Sequence, residues 1–192
     1  MLYLIFRFLL RVIYTLLFRL EARGTENIPA TGPVILASNH LSNFDPPTVG
    51  VKVRRKVHFM AKEELFKVPV FGQLILSFGA FPVKRGGVSK DAIKSAISLL
   101  KEGNVLGIFP EGSRNNQSGA AKKGAAMIAV RSGAAIVPVA IIGKYRPFSK
   151  ITVCYGKPID LTALIEESSP DMLEKVTEAI MTRIRELAAS HR

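Results

Sequence analysis

In the stretch Ser38-Asn39-His40-Leu41-Ser42-Asn43-Phe44-Asp45, a histidine and an aspartate stand five positions apart just after an apolar run. Imidazole takes up and releases protons near neutral pH. A carboxylate held against its far nitrogen fixes the tautomer and stabilises the cation that forms. The pair therefore has the makings of a general base with its orienting acid. His40 is one of three histidines and the only one so placed. Pro33–Ala37 reads as a strand, which puts His40 on the loop past its carboxyl end, where open α/β sheets hold ligands. Asp45-Pro46-Pro47-Thr48 reads as a helix start, with Asp45 as cap and the prolines where an N–H would be orphaned anyway. The carboxylate is expected to bond the amide of Thr48 and keep an oxygen for His40. The plainer reading of the same residues is a capping aspartate beside an ordinary loop histidine.

A second element adds weight. Val105-Leu106-Gly107-Ile108-Phe109 reads as a strand and runs directly into Pro110-Glu111-Gly112-Ser113-Arg114. A small turn at a strand end exposes backbone N–H groups, and Arg114 brings a planar fork suited to phosphate. Glu111 is placed to orient a positive group or to accept a proton. Further cations cluster at strand ends: Lys84 and Arg85 before Gly86-Gly87, Lys62 in Ala61-Lys62-Glu63, and Lys122-Lys123 opening a helix. Taken singly, each is most simply a solvated charge. Ser42 or Ser113 as an acyl-accepting nucleophile is the competing chemistry. The chain lacks a Gly-x-Ser-x-Gly elbow, and each serine serves more simply as a loop or cap hydroxyl.

These residues need a frame to hold them. The 192 residues are enough for one domain with a sizeable core. Strands are expected at Pro33–Ala37, Val57–Met60, Ala80–Val83, Val105–Phe109, Ala135–Ile141 and Lys150–Tyr155. Helices are expected over Val88–Lys101 with Ser89 as cap, over Lys122–Arg131, and from Ser169-Pro170 onward, burying Leu173, Val176, Ile180, Ile184 and Leu187. Glu21 to Pro33 reads as a turn-rich connector. The alternation of strand and helix implies a layered α/β domain, with a mostly parallel or mixed sheet between helices. Val68–Val83 carries no charge, which fits a buried helix and strand, either beside an apolar channel or as plain core. Cys154 is the only cysteine and reads as a small buried residue of a strand, so disulfide and cysteine-zinc frameworks are excluded and a reducing compartment fits.

Charge and the amino terminus point to a partner. With 27 Lys+Arg against 15 Asp+Glu the formal net charge is +12, a field that favours anions. Nucleic acid fits poorly, because the basic residues are not interleaved with stacking aromatics and there is no Trp. Residues 1–20 are apolar but interrupted by Arg7, Arg11 and Arg19, and no uncharged run approaches the length of a membrane span. On a helix the three arginines and Thr15 share an arc of roughly 120°, outside which lie Leu9, Val12, Leu16 and Leu20. This describes a helix in a membrane interface, apolar side in lipid and guanidinium groups toward phosphates. The alternative is a helix docked on the protein's own core; a cleaved signal peptide fits less well, since arginines break its apolar region.

Taken together, the blocks resemble the glycerophospholipid acyltransferase family, whose bacterial members make phosphatidic acid from lysophosphatidic acid. Its first motif, His-x4-Asp, matches His40 to Asp45, with the usual Asn39 before and Pro46 after. Its Phe-x-x-Arg block resembles Phe81 to Arg85, with Lys84 inserted. Its Phe-Pro-Glu-Gly-Ser-Arg block is complete at Phe109 to Arg114, and its Val-Pro block resembles Ile136 to Ala140. The four blocks fall in family order between residues 39 and 140.

The resemblance implies acyl transfer from a thioester, on acyl carrier protein or coenzyme A, to the hydroxyl of 1-acyl-sn-glycerol-3-phosphate. In that scheme His40 is general base and Asp45 its orienting acid. Arg114 and Arg85 or Lys84 hold the phosphate with Lys62 in support, and Glu111, Gly112 and Ser113 shape the acceptor pocket. Backbone N–H groups near the first motif are the candidate oxyanion donors. No metal or cofactor is required. Residues 1–22 would be the interfacial helix and 23–192 the acyltransferase domain, with the enzyme peripheral on the cytoplasmic face of the cell membrane. Two alternatives stay open: the same chemistry on glycerol-3-phosphate or another lysophospholipid, and a non-catalytic basic membrane-binding protein.

Overall fold

The computed structural model describes residues 2–83, 90–111, 119–167 and 169–191. The chain runs through α1 (Leu2–Phe18), β1 (Glu21–Arg23), β2 (Val34–Ser38), α2 (Asp45–Gly50), β3 (Val57–Lys62), α3 (Glu63–Phe66), α4 (Phe71–Ser77) and β4 (Ala80–Val83). It continues through α5 (Lys90–Lys101), β5 (Val105–Ile108), α6 (Gly119–Ser132), β6 (Ala135–Gly143), β7 (Ile151–Tyr155), α7 (Thr162–Glu166) and α8 (Met172–Ala189). The strands form one seven-stranded sheet in the order β1-β7-β6-β2-β5-β3-β4. The five from β6 to β4 are mutually parallel, while β7 runs against β6 and β1 lies parallel to β7.

Strand β2 is central and buried along its whole length. Its alternation sorts the core into two layers. Val34 and Leu36 join Val105, Val137 and Val139 on one face, covered by Val49 of α2 and by Tyr14 and Phe18 of α1. Ile35 and Ala37 join Leu106, Ile108 and Ile136 on the other, covered by α5, α6 and α8 through Leu100, Ile128, Val176, Ile180 and Ile184. Each such large side chain contributes about 1.5–3 kcal/mol by leaving water. Cys154 is buried in β7 as expected, and burial pushes its thiol pKa up.

Four expectations need correction. Glu21–Arg23 is a strand, not connector: it pairs with β7 from Glu21↔Thr152 to Arg23↔Cys154, and Glu21 bonds both Arg23 and Lys150 at 2.9 and 2.5 Å. The turn beyond it needs Gly24, whose φ is +74° and whose missing Cβ would strike the Tyr155 carbonyl. Helix α8 starts at Met172, after Ser169-Pro170, because the amide of Met172 bonds Ser169 O at 3.0 Å and closes a turn first. Ser89, the expected cap of α5, lies outside the described residues, and α6 begins earlier than Lys122, at Gly119. The uncharged Val68–Val83 stretch is not buried: Val68, Phe71 and Leu76 are exposed and Val70 is 83% exposed, on a ledge outside the edge strand β4.

Helix α1 divides between two roles. Tyr14 and Phe18 enter the core, as does Leu20 just past the helix, whereas Phe8 and Leu16 are both 69% exposed and Leu4, Ile5, Leu9, Val12 and Ile13 are exposed beside them. Arg7 points back to the protein, donating to the carbonyls of Val53 and Arg54 at 3.1 and 3.0 Å, rather than outward as expected. Arg19 lies past the helix end. No described helix is long and apolar enough to cross a membrane.

Candidate active site

His40 follows β2 at the carboxyl edge of the parallel strands, and α2 begins at Asp45. Because the helix returns Asp45 beside the loop, His40 Nδ1 lies 2.7 Å from Asp45 Oδ2. The same oxygen accepts the amides of Leu41 at 2.6 Å and Ser42 at 2.8 Å. An ionised carboxylate only accepts, so Nδ1 carries the proton and Nε2 keeps a lone pair. Asp45 is 0% exposed, and these donors replace the water it has lost.

The local geometry differs from the expected cap. Phe44, not Asp45, occupies the cap position, and the amide of Thr48 bonds Phe44 O at 3.2 Å inside the helix. The carboxylate is thereby free to face backward onto its own loop. Among the backbone N–H groups near the first motif, those of Leu41 and Ser42 are already bonded to Asp45. Ser42 is a loop hydroxyl, accepting from the amide of Phe44 at 3.3 Å.

Three residues hold the pair, none of them given a role from the sequence, where Asn39 stood only as the usual neighbour of His40. The Tyr145 hydroxyl donates to Asp45 Oδ1 at 2.7 Å and lies 2.8 Å from Thr48 Oγ1. Asn39 gives and takes one bond with the backbone of Ile141, at 3.0 and 2.7 Å, so its amide extends the β2–β6 ladder and anchors the start of the loop. Tyr155, buried in β7, donates to Val49 O at 2.7 Å and seats α2. Burial pushes the phenols of Tyr145 and Tyr155 well above their ordinary value, and for Tyr145 the bond to Asp45 adds to the effect.

The imidazole rests on an aromatic stack. Its ring lies 4.4 Å from Phe109 with 22° between planes, and Phe109 lies 6.2 Å from Phe59 at 17°. Gly107 in β5 makes this possible, since a Cβ there would collide with the Phe59 ring from neighbouring β3. Phe109 of the Phe-Pro-Glu-Gly-Ser-Arg block thus positions the histidine of the His-x4-Asp block.

Of the remaining predicted residues, Lys62 ends β3 and Glu111 follows β5, both at the same edge of the sheet as His40. Neither is a hydrogen-bond partner of the pair. Lys84, Arg85, Gly112, Ser113 and Arg114 lie outside the described residues.

The mostly parallel α/β sheet thus carries a braced His–Asp pair beyond its central strand, a geometry suited to acid–base chemistry. The Acyltransferase family model matches residues 19–142, and the chain belongs to that family: it is an acyltransferase. It is 34% identical over 184 residues to the 1-acyl-sn-glycerol-3-phosphate acyltransferase of Bacillus subtilis, covering 93% of this chain and 92% of that one. It is 33% identical over 172 residues to the enzyme of the same name from Streptococcus pneumoniae, covering 85% of this chain and 64% of the other. The crystal structure of the 1-acyl-sn-glycerophosphate acyltransferase from Thermotoga maritima superposes with a TM-score of 0.69 at 29% identity, covering 92% of this chain and 75% of that one.

Proposed function

We propose that the protein transfers an acyl chain from an acyl thioester to the free hydroxyl of 1-acyl-sn-glycerol-3-phosphate, giving phosphatidic acid. The observation that carries this reading is the buried Asp45 carboxylate against His40 Nδ1 at 2.7 Å in a chain 34% identical to an enzyme named for that acceptor. His40 Nε2 takes the hydroxyl proton as the oxygen attacks the thioester carbonyl. The tetrahedral oxyanion collapses with cleavage of the C–S bond, and the imidazolium returns its proton to the departing thiolate. Asp45 stabilises the imidazolium between the two steps. Arg114 and Arg85 or Lys84, with Lys62, hold the phosphate, and Glu111, Gly112 and Ser113 shape the pocket around it. The donor is acyl-acyl carrier protein or acyl-coenzyme A.

The protein acts as a peripheral enzyme on the cytoplasmic face of the cell membrane. Supporting this are the exposed apolar face of α1 and the ledge around Val70, which meet where Tyr3 and Phe6 contact Phe78 at ring distances of 6.0 and 6.2 Å. Phe148, 74% exposed, extends the surface at the far end of α1, where its amide bonds Leu17 O at 2.6 Å. A surface of this kind gains by burial in lipid, and the net charge of +12 favours anionic headgroups.

The test offers purified protein both donors with lysophosphatidic acid, glycerol-3-phosphate and a choline lysophospholipid. Phosphatidic acid as the preferred product is expected. Equal use of all acceptors, or none, would contradict the assignment. Replacing Phe8 and Leu16 together by Glu is expected to release the protein from anionic vesicles without lowering its Tm; unchanged vesicle binding would contradict the membrane role of α1.

A further inference from the structure

We infer that Tyr145 is a positioning residue of the His40–Asp45 pair: its hydroxyl fixes the carboxylate from the side opposite the histidine, and its ring ties that carboxylate to α1. The kinetic part of this inference rests on the acyl-transfer reading above; the spectroscopic part does not.

Oδ2 of Asp45 is held by His40 and two amides, whereas the hydrogen bond to Oδ1 comes from the Tyr145 hydroxyl, at 2.7 Å. Without that donor a fully buried carboxylate oxygen would lose its compensation. The hydroxyl is aimed by Thr48, whose Oγ1 lies 2.8 Å away and divides its one proton between the tyrosine oxygen and Phe44 O, 2.9 Å distant. Because its phenol pKa is raised by burial, Tyr145 stays protonated, and therefore a donor, at any pH where the pair works.

The ring is as well fixed as the hydroxyl. It meets Phe18 of α1 edge-on at 5.4 Å and 89°, and Phe44 at 5.7 Å and 43°. Tyr14 of α1 donates to Phe44 O at 3.3 Å, bracing the residue just before Asp45. The inner face of α1 therefore grips the acid twice, through its backbone and through Tyr145. Among the described residues, the titratable groups bearing on the carboxylate are His40 from its own loop, Tyr145 from beyond β6, and Tyr14 from α1. A donor on Oδ1 draws charge away from Oδ2. Its removal leaves more charge facing Nδ1 and favours the imidazolium, while the two amides keep the carboxylate from rotating.

Tyr145→Phe keeps the ring and removes only the hydroxyl. In this variant, the midpoint of the His40 ring titration, followed by NMR, is expected to rise by about half a unit or more. At pH values below that midpoint turnover is expected to fall about threefold, because a larger share of His40 is already protonated and cannot accept the hydroxyl proton, with KM for lysophosphatidic acid unchanged. A lowered Tm with midpoint and turnover both unmoved would make Tyr145 a packing residue and overturn the inference. Phe18→Leu keeps the hydroxyl but removes the wall behind the ring; a severalfold fall in turnover is expected, and an unchanged one would remove the tie to α1. A wild-type protein that transferred no acyl groups would defeat the functional reading, while the NMR midpoint would still decide the role of Tyr145.

Discussion

Replacing Asp45 by Asn removes one charge and almost no volume, and the surrounding donors decide how the new side chain sits. The amides of Leu41 and Ser42, 2.6 and 2.8 Å from Oδ2, demand an oxygen at that position. The asparagine therefore turns its carbonyl toward His40 and its NH2 toward Tyr145. The phenol can accept that NH2 while donating to Thr48 Oγ1, 2.8 Å away. His40 consequently keeps its tautomer, and the loss is electrostatic alone. At an effective dielectric of about 20, two unit charges ~4 Å apart attract by about 4 kcal/mol. If roughly half the imidazolium charge has developed at the transition state, about 2 kcal/mol is lost, or about 30-fold in rate. Thiol release from an acyl thioester in lysophosphatidic acid micelles measures this directly, with circular dichroism confirming the fold. A fall below about threefold would reduce Asp45 to a structural residue. A fall as deep as removal of the imidazole would mean that the tautomer was lost despite the two amides, and would refute the reasoning.

The glycine under the aromatic stack and the buried phenols give two further expected outcomes. Gly107→Ala forces the Phe59 ring away from β5 and disturbs Phe109 beneath His40, an overpacking cost of about 1–3 kcal/mol. Tm should drop by about 2–4 °C for each kcal/mol, together with turnover, and an unchanged thermal melt would contradict the stacking argument. Burial holds the phenols of Tyr14, Tyr145 and Tyr155 well above their ordinary value. In the unfolded chain they ionise near pH ~10, so unfolding releases protons and stability, complete below that pH, declines as pH rises through it. Tyrosinate absorbance should appear together with loss of secondary structure; ionisation of these phenols in a still-folded protein would contradict their burial.

The frame and the heart of the site were legible in local patterns of residues. The buried runs of β2, β5, β6 and β7 are short and rich in β-branched residues, and the expected limits of β2 to β7 differ from the observed ones by a residue or two. The His40–Asp45 bond was legible because a five-residue spacing across a loop into a helix start is itself local. The direction of the other Asp45 bonds was not, because Thr48 had an alternative acceptor in Phe44 O, 3.2 Å away. Tyr145 stands 100 positions from Asp45 and carries no motif, so only the folded chain reveals it. Val68–Val83 misled because lack of charge is the same for a core segment and an exposed ledge; the difference lies in whether another element covers it. In α1 the periodicity did not show which side docks: Tyr14 and Phe18 go inward with Leu20 just beyond them, and Arg7 turns to the carbonyls of Val53 and Arg54.

The most direct test is His40→Ala, assayed for acyl transfer to lysophosphatidic acid alongside a thermal melt and vesicle co-sedimentation. Loss of transfer by a factor of about 10²–10⁴ is expected, as for removal of a general base, with Tm and vesicle binding near those of the wild type. Undiminished transfer by a folded, membrane-bound His40→Ala protein would contradict the role assigned to the pair.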